Sequence, residues 1–138
     1  MKVVAYQERH FDQVDALWQA CFPDDPPRNR AAAAIPAKLA LGDGLLLVAE
    51  DLAGQVIGTV MAGYDGHRGW LYAVASDPAQ RGKGIGRVLV EEACRRLAEL
   101  GCVKVNLQVR AGNAAVAAFY RKLGFDEEAR ISMGRSLP

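Results

Sequence analysis

Arg81-Gly82-Lys83-Gly84-Ile85-Gly86-Arg87 is the stretch that decides the reading of this chain. An apolar run, Trp70 to Val74, precedes it, and Asp77-Pro78 marks the turn between them. A long amphipathic segment follows, so the local order is strand, glycine-rich turn, helix. Glycines let the backbone approach a ligand closely and turn its N–H groups outward. The helix start behind them carries partial positive charge. Arg81, Lys83 and Arg87 add full charges. Such a corner suits a polyanion, most simply a pyrophosphate.

The spacing excludes two common phosphate loops. A P-loop needs four residues between its first glycine and Gly-Lys-Ser/Thr, and no Ser or Thr stands here for a metal. A dinucleotide fingerprint needs Gly-x-Gly-x-x-Gly, whereas these glycines fall at 82, 84 and 86. A second segment, Asn113-Ala114-Ala115-Val116-Ala117-Ala118-Phe119-Tyr120-Arg121-Lys122-Leu123-Gly124-Phe125, reads as a capped helix. Asn113 is an N-cap, Gly124 a C-cap, and Val116, Phe119, Tyr120 and Leu123 form the apolar stripe.

The first segment fits Arg/Gln-x-x-Gly-x-Gly/Ala as Arg81-x-x-Gly84-x-Gly86. With the Asn113–Phe125 segment in order behind it, the chain resembles the GNAT superfamily of acetyl-CoA-dependent acyltransferases. The resemblance runs from Lys2 to the C-terminus and is strongest from Leu45 to Phe125. It implies that Arg81, Gly82, Lys83, Gly84, Ile85, Gly86 and Arg87 hold the CoA pyrophosphate. It implies that main-chain groups of Val74, Ala75 and Ser76 pair with pantetheine, one N–H facing the thioester oxygen. Most relatives carry Val at the place of Ser76. It further implies that Asn113 bonds to the pantetheine arm and that Tyr120 lies beside the CoA sulfur as general acid. Gly58 to Gly69 looks like the small bacterial YpeA-like subgroup.

The expected reaction is N-acetyl transfer from acetyl-CoA to a primary amine by direct attack through a tetrahedral intermediate. The acceptor is a small molecule or a protein amino group. The alternative is a non-catalytic acetyl-CoA-sensing module, which loss of Tyr120 or of the glycine loop would mark. The base is the open role. Some relatives carry a Glu five residues before the Asn, where this chain has Gln108, which cannot take a proton. Asp65, His67 and Glu50 are the remaining candidates, each expected to be a turn or surface residue; a water chain is the other route. The resemblance places the acceptor near Trp18, the Asp24-Asp25 loop and Tyr64 to Arg68.

Composition agrees with an ordinary enzyme. The 138 residues suffice for one domain with a sizeable core, expected to span 1–138. A net charge of +1 gives no support for a nucleic-acid or membrane binder. Cys21, Cys94 and Cys102 lack metal-ligand spacing, so no metal is expected. Unpaired thiols and a charged N-terminal stretch point to a cytoplasmic protein.

Periodicity gives a mixed α/β order. Strands are expected at Val3–Tyr6, Leu45–Glu50, Val56–Tyr64, Trp70–Ala75, Val103–Val109 and near Arg130–Leu137. Helices are expected over Phe11–Phe22, Asn29–Leu41, Gly84–Leu100 and from Asn113. Ile85, Val88, Leu89, Ala93, Leu97 and Leu100 are the expected inward face of the third helix. This α/β (α+β) order matches the GNAT plan, a mostly antiparallel sheet whose fourth and fifth strands splay apart between flanking helices. The short tail leaves a monomer or an edge-paired homodimer as the expected state.

Overall fold

The computed structural model describes residues 1–138, which fall into two compact units, Met1–Leu107 and Gln108–Pro138. The first unit holds a five-stranded sheet in the order β1-β2-β3-β4-β5. Its strands are β1 (Lys2–Ala5), β2 (Leu46–Glu50), β3 (Val56–Tyr64), β4 (Gly69–Ser76) and β5 (Val105–Asn106). Three pairings are antiparallel and the last, β4 with β5, is parallel. Three helices belong to the same unit: α1 (Phe11–Cys21), α2 (Ala31–Leu39) and α3 (Ile85–Glu99).

The strand β2 reads Leu-Leu-Val-Ala-Glu and is buried along its whole length. A strand covered on both faces needs apolar residues without alternation. On one face Val14, Leu17 and Trp18 of α1 and Ile35 of α2 pack against Leu46, Val48 and Ala75. Helix α3 contributes a second buried stripe of Ile85, Leu89, Val90, Ala93 and Leu97. Each of the larger side chains contributes about 1.5–3 kcal/mol by leaving water. Val88 and Leu100, expected inward, are instead 39% and 56% exposed. At about 100° per residue the inward arc that holds 85, 89, 93 and 97 takes in Val90 rather than Val88.

Gly58 sets how closely α3 lies on the sheet. A Cβ there would meet Leu89 Cδ1 at 2.7 Å, Ile85 Cγ2 at 2.8 Å and the Ala75 carbonyl oxygen at 2.9 Å.

Two expected strands are shorter or missing. The segment Val103–Val109 forms a strand only at Val105–Asn106, paired with Gly69 and Trp70. The remainder of β4, Leu71 to Ser76, has no strand beside it on that edge. Of the expected β4–β5 splay the structure shows only this: a two-residue parallel pairing, beyond which β5 does not continue. The second unit contains α4 (Ala114–Lys122) and no strand. Residues 130–137, expected to form the last strand, are irregular, with Ile131, Met133 and Leu137 exposed. Apolar alternation alone cannot hold a strand; it needs a partner row of backbone groups.

Candidate functional site

The turn from β4 into α3 is built from its own sequence. Asp77 accepts a hydrogen bond from the Ala79 N–H at 3.0 Å and starts a short 3₁₀ turn, Pro78–Gln80. Gly82 and Gly84 then adopt φ of +83° and +76°, a region that other residues enter only at a cost. No atom lies within 4 Å of where their Cβ atoms would be. These glycines are thus required by backbone conformation and not by crowding. Gly84 is the N-cap of α3, so no side chain caps the helix, and its first turn contains no acidic residue. The N–H groups of that turn face outward with the helix dipole behind them.

Arg81, Lys83 and Arg87 are exposed around this corner. Lys83 donates to the Gln80 side chain at 2.9 Å, and Arg87 pairs with Glu91 at 3.1 Å. Both contacts lie on the surface, where such pairs are worth about 0–1 kcal/mol and yield readily to a stronger anion. The corner brings together all the expected polyanion residues: Arg81, Gly82, Lys83, Gly84, Ile85, Gly86 and Arg87.

Strand β4 leads into that corner through a bulge. Met61 pairs with Tyr72 and Thr59 with Ala75, so Ala73 and Val74 together stand opposite one residue of β3. Ala73 has φ +49°, the sole non-glycine residue of positive φ in the chain. Such a conformation costs about 1–3 kcal/mol and persists only when its surroundings hold it. The Thr59 hydroxyl donates to the Ala73 carbonyl at 2.9 Å and accepts from the Trp18 indole N–H at 2.9 Å. Thr59 and Trp18 are both buried. Sequence reasoning did not single out Thr59 or Ala73. A threonine inside an apolar strand and an alanine of positive φ leave no pattern in the letters.

Ser76, at the end of β4, is tied to α1 by its carbonyl, which accepts from Cys21 Sγ at 3.4 Å. Burial pushes the Cys21 thiol up, while the nearby Arg81 pulls it partly back.

The candidate bases fare differently from expectation. Glu50 is not a surface residue: it is 2% exposed and takes a forked pair from Arg9 at 3.0 and 3.2 Å. The Arg9 hydrogen bonds hold its carboxyl below the ordinary value. Asp65 is a turn residue as expected. Its Oδ1 accepts from the N–H groups of Arg68 and His67, both at 2.7 Å, and these bonds lower its pKa. Both carboxylates are thereby made weaker bases. His67 lies exposed in the same turn. Trp18, expected beside an acceptor, is buried and committed to Thr59. Asp24 is exposed in the loop after α1, and Asp25 is half-buried there.

In the second unit, Asn113 caps α4 as its sequence suggests, its Oδ1 accepting from the Val116 N–H at 3.3 Å. Tyr120 is buried, with Phe119 and Phe125 edge-on at centroid distances of 5.0 and 5.7 Å. Burial pushes the Tyr120 phenol up to about 12. Its hydroxyl is therefore protonated at neutral pH and able to donate. The Gln108 side chain donates to the Ser132 hydroxyl.

Known proteins share this fold. The model of the acetyltransferase (GNAT) family matches residues 11–125. An acetyltransferase of Sodalis glossinidius is 37% identical over 140 residues, covering 99% of this chain and 96% of the relative. Among solved structures, Ard1 from Thermoplasma volcanium superposes with a TM-score of 0.82 at 22% identity, over 93% of this chain and 84% of that one. The aminoglycoside N-acetyltransferase AAC(6')-Iy in complex with CoA gives 0.74 at 20% identity, over 98% and 93% of the two chains. The mixed five-stranded sheet, the glycine corner and these matches agree: the chain belongs to the GNAT family of acetyltransferases.

Proposed function

We propose that the protein moves an acetyl group from acetyl-CoA to a primary amine, on a small molecule or on a protein. The glycine corner carries this reading. Two left-handed glycines, an uncapped helix start free of acid, and three surrounding cations fit a pyrophosphate and leave room for it. Acetyl-CoA supplies the activated acetyl group and a thiol leaving group.

The chain's own residues then divide the work. Arg81, Lys83 and Arg87 neutralise the phosphates, and the N–H groups of Gly82 to Gly86 bond to them. Main-chain groups of Val74, Ala75 and Ser76, on the unpaired edge of β4, bond to the pantetheine amides as a neighbouring strand would. Asn113 supports the same arm. Tyr120 donates its phenolic proton to the departing sulfur; a phenol buried enough to stay protonated suits that role. Glu50 and Asp65 are held by cationic and N–H donors, which leaves His67 or a water chain to take the proton of the attacking amine.

Calorimetric titration with acetyl-CoA, with ATP and NAD as controls, tests the reading. Micromolar binding of acetyl-CoA alone is expected, followed by thiol release with an amine acceptor. Equal binding of ATP, or none of acetyl-CoA, overturns it.

A further inference from the structure

We infer that Trp18 and Thr59 are positioning residues, which act through the β4 bulge to aim the Val74 N–H at the acetyl carbonyl; this rests on the acetyl-CoA reading above. The relay has a single polarity. An indole N–H can only donate, so Thr59 Oγ1 must accept from Trp18. The threonine proton is then left for the Ala73 carbonyl, to which it donates at 2.9 Å. All peptide bonds are trans. In a trans peptide the carbonyl and the following N–H point in opposite directions. Pinning the Ala73 oxygen toward Thr59 therefore turns the Val74 N–H away from Thr59. That is the orientation a main-chain donor needs if it is to serve a ligand rather than β3.

The relay also explains how an alanine keeps φ +49°. Thr59 is fully buried and Trp18 nearly so, so water cannot replace either bond. A hydrogen-bond chain in such surroundings is stiff, and each donor polarises the next. Preorganised donors of this kind lower the barrier because they need no rearrangement as charge develops on oxygen. Three separate elements, α1, β3 and β4, thus converge on one backbone amide.

The test uses acetyl-CoA labelled with carbon-13 at its carbonyl, observed by infrared difference spectroscopy on the full-length protein. In the native protein the bound carbonyl band moves to lower frequency than in solution. Thr59→Val keeps the shape and removes the hydroxyl. It is expected to lose most of that shift while the Kd for acetyl-CoA stays within about threefold. Thr59→Ser restores the relay and is expected to restore the shift. Trp18→Phe frees the threonine to rotate and is expected to diminish the shift; it carries the test if Thr59→Val does not fold. A folded Thr59→Val or Trp18→Phe protein with a native carbonyl shift overturns the inference. A native protein that binds no acetyl-CoA overturns the underlying reading instead, so the two failures are distinct.

Discussion

Replacing Gly58 by alanine probes the seat of α3, and through it the anion corner. The added methyl would stand 2.7 Å from Leu89 Cδ1, 2.8 Å from Ile85 Cγ2 and 2.9 Å from the Ala75 carbonyl oxygen. Two of these atoms belong to side chains that can turn. The third is backbone in β4, next to the bulge, and cannot yield without moving the strand. Overpacking of this type costs about 1–3 kcal/mol. Unfolding entropy near 2.1 cal/mol/K per residue gives about 0.3 kcal/mol/K for a chain of this length, so a fall in Tm of about 3–10 °C is expected. Ile85 is the first residue of α3, so the shift also displaces the N–H groups of the corner, and acetyl-CoA binding should weaken with it. Differential scanning calorimetry and a titration with acetyl-CoA measure both effects. Gly63→Ala is the control, because its Cβ would meet only Lys38 Nζ, at 3.7 Å. Equal Tm values for the two variants, or a Gly58→Ala protein of native Tm and native affinity, would refute the packing argument.

Gly84→Ala should raise the Kd for acetyl-CoA by about tenfold, since a left-handed alanine costs roughly 1–2 kcal/mol and the N-cap would relax; calorimetry reads it, and an unchanged Kd removes the corner from the site. Tyr120→Phe should lower kcat by about a hundredfold with little change in acetyl-CoA affinity, and thiol release at native rate would end its assignment as proton donor. Because the native phenol titrates near 12, the alkaline side of the rate profile below that pH should be the same in the native and Phe proteins. Glu92 accepts from Arg95 and Arg96, which hold its carboxyl down at about 2 against an ordinary 4.5. A depressed carboxylate stabilises the fold above its unfolded pKa, and that stability is lost as pH falls through the folded one. The native Tm should therefore drop between about pH 4.5 and 2, and Glu92→Gln should drop less steeply over that window; parallel curves would show that the triad contributes nothing.

The sequence was informative wherever one residue type answers one local demand. The corner at 81–87 was legible because glycine adopts the φ values at 82 and 84 without the cost other residues bear, and the α4 cap because Asn113 offers an oxygen to a bare N–H. The strand β3 was found to the residue, its apolar run being bounded by Gly54 and Asp65 turns. The last strand was misread because Ile131 and Met133 alternate as a strand does, whereas pairing depends on a partner that the letters do not carry. Glu50 was misjudged for a similar reason: it ends a strand covered on both faces, and the partner that neutralises it there is Arg9, 41 residues away. The β4 bulge was invisible because an alanine gives no sign of positive φ.

The short clasp between β4 and β5 has a consequence of its own. With only Gly69 and Trp70 joined to β5, the last pairing of the sheet is a seam, and most of β4 lacks a ladder on that side. Row upon row of paired amides is what makes a central strand slow to open, and β4 has that protection on one flank alone. A ligand lying in the seam would complete the ladder as well as bind to it. Occupancy and local rigidity are then the same event, and the protein should be mechanically soundest when it is loaded for turnover.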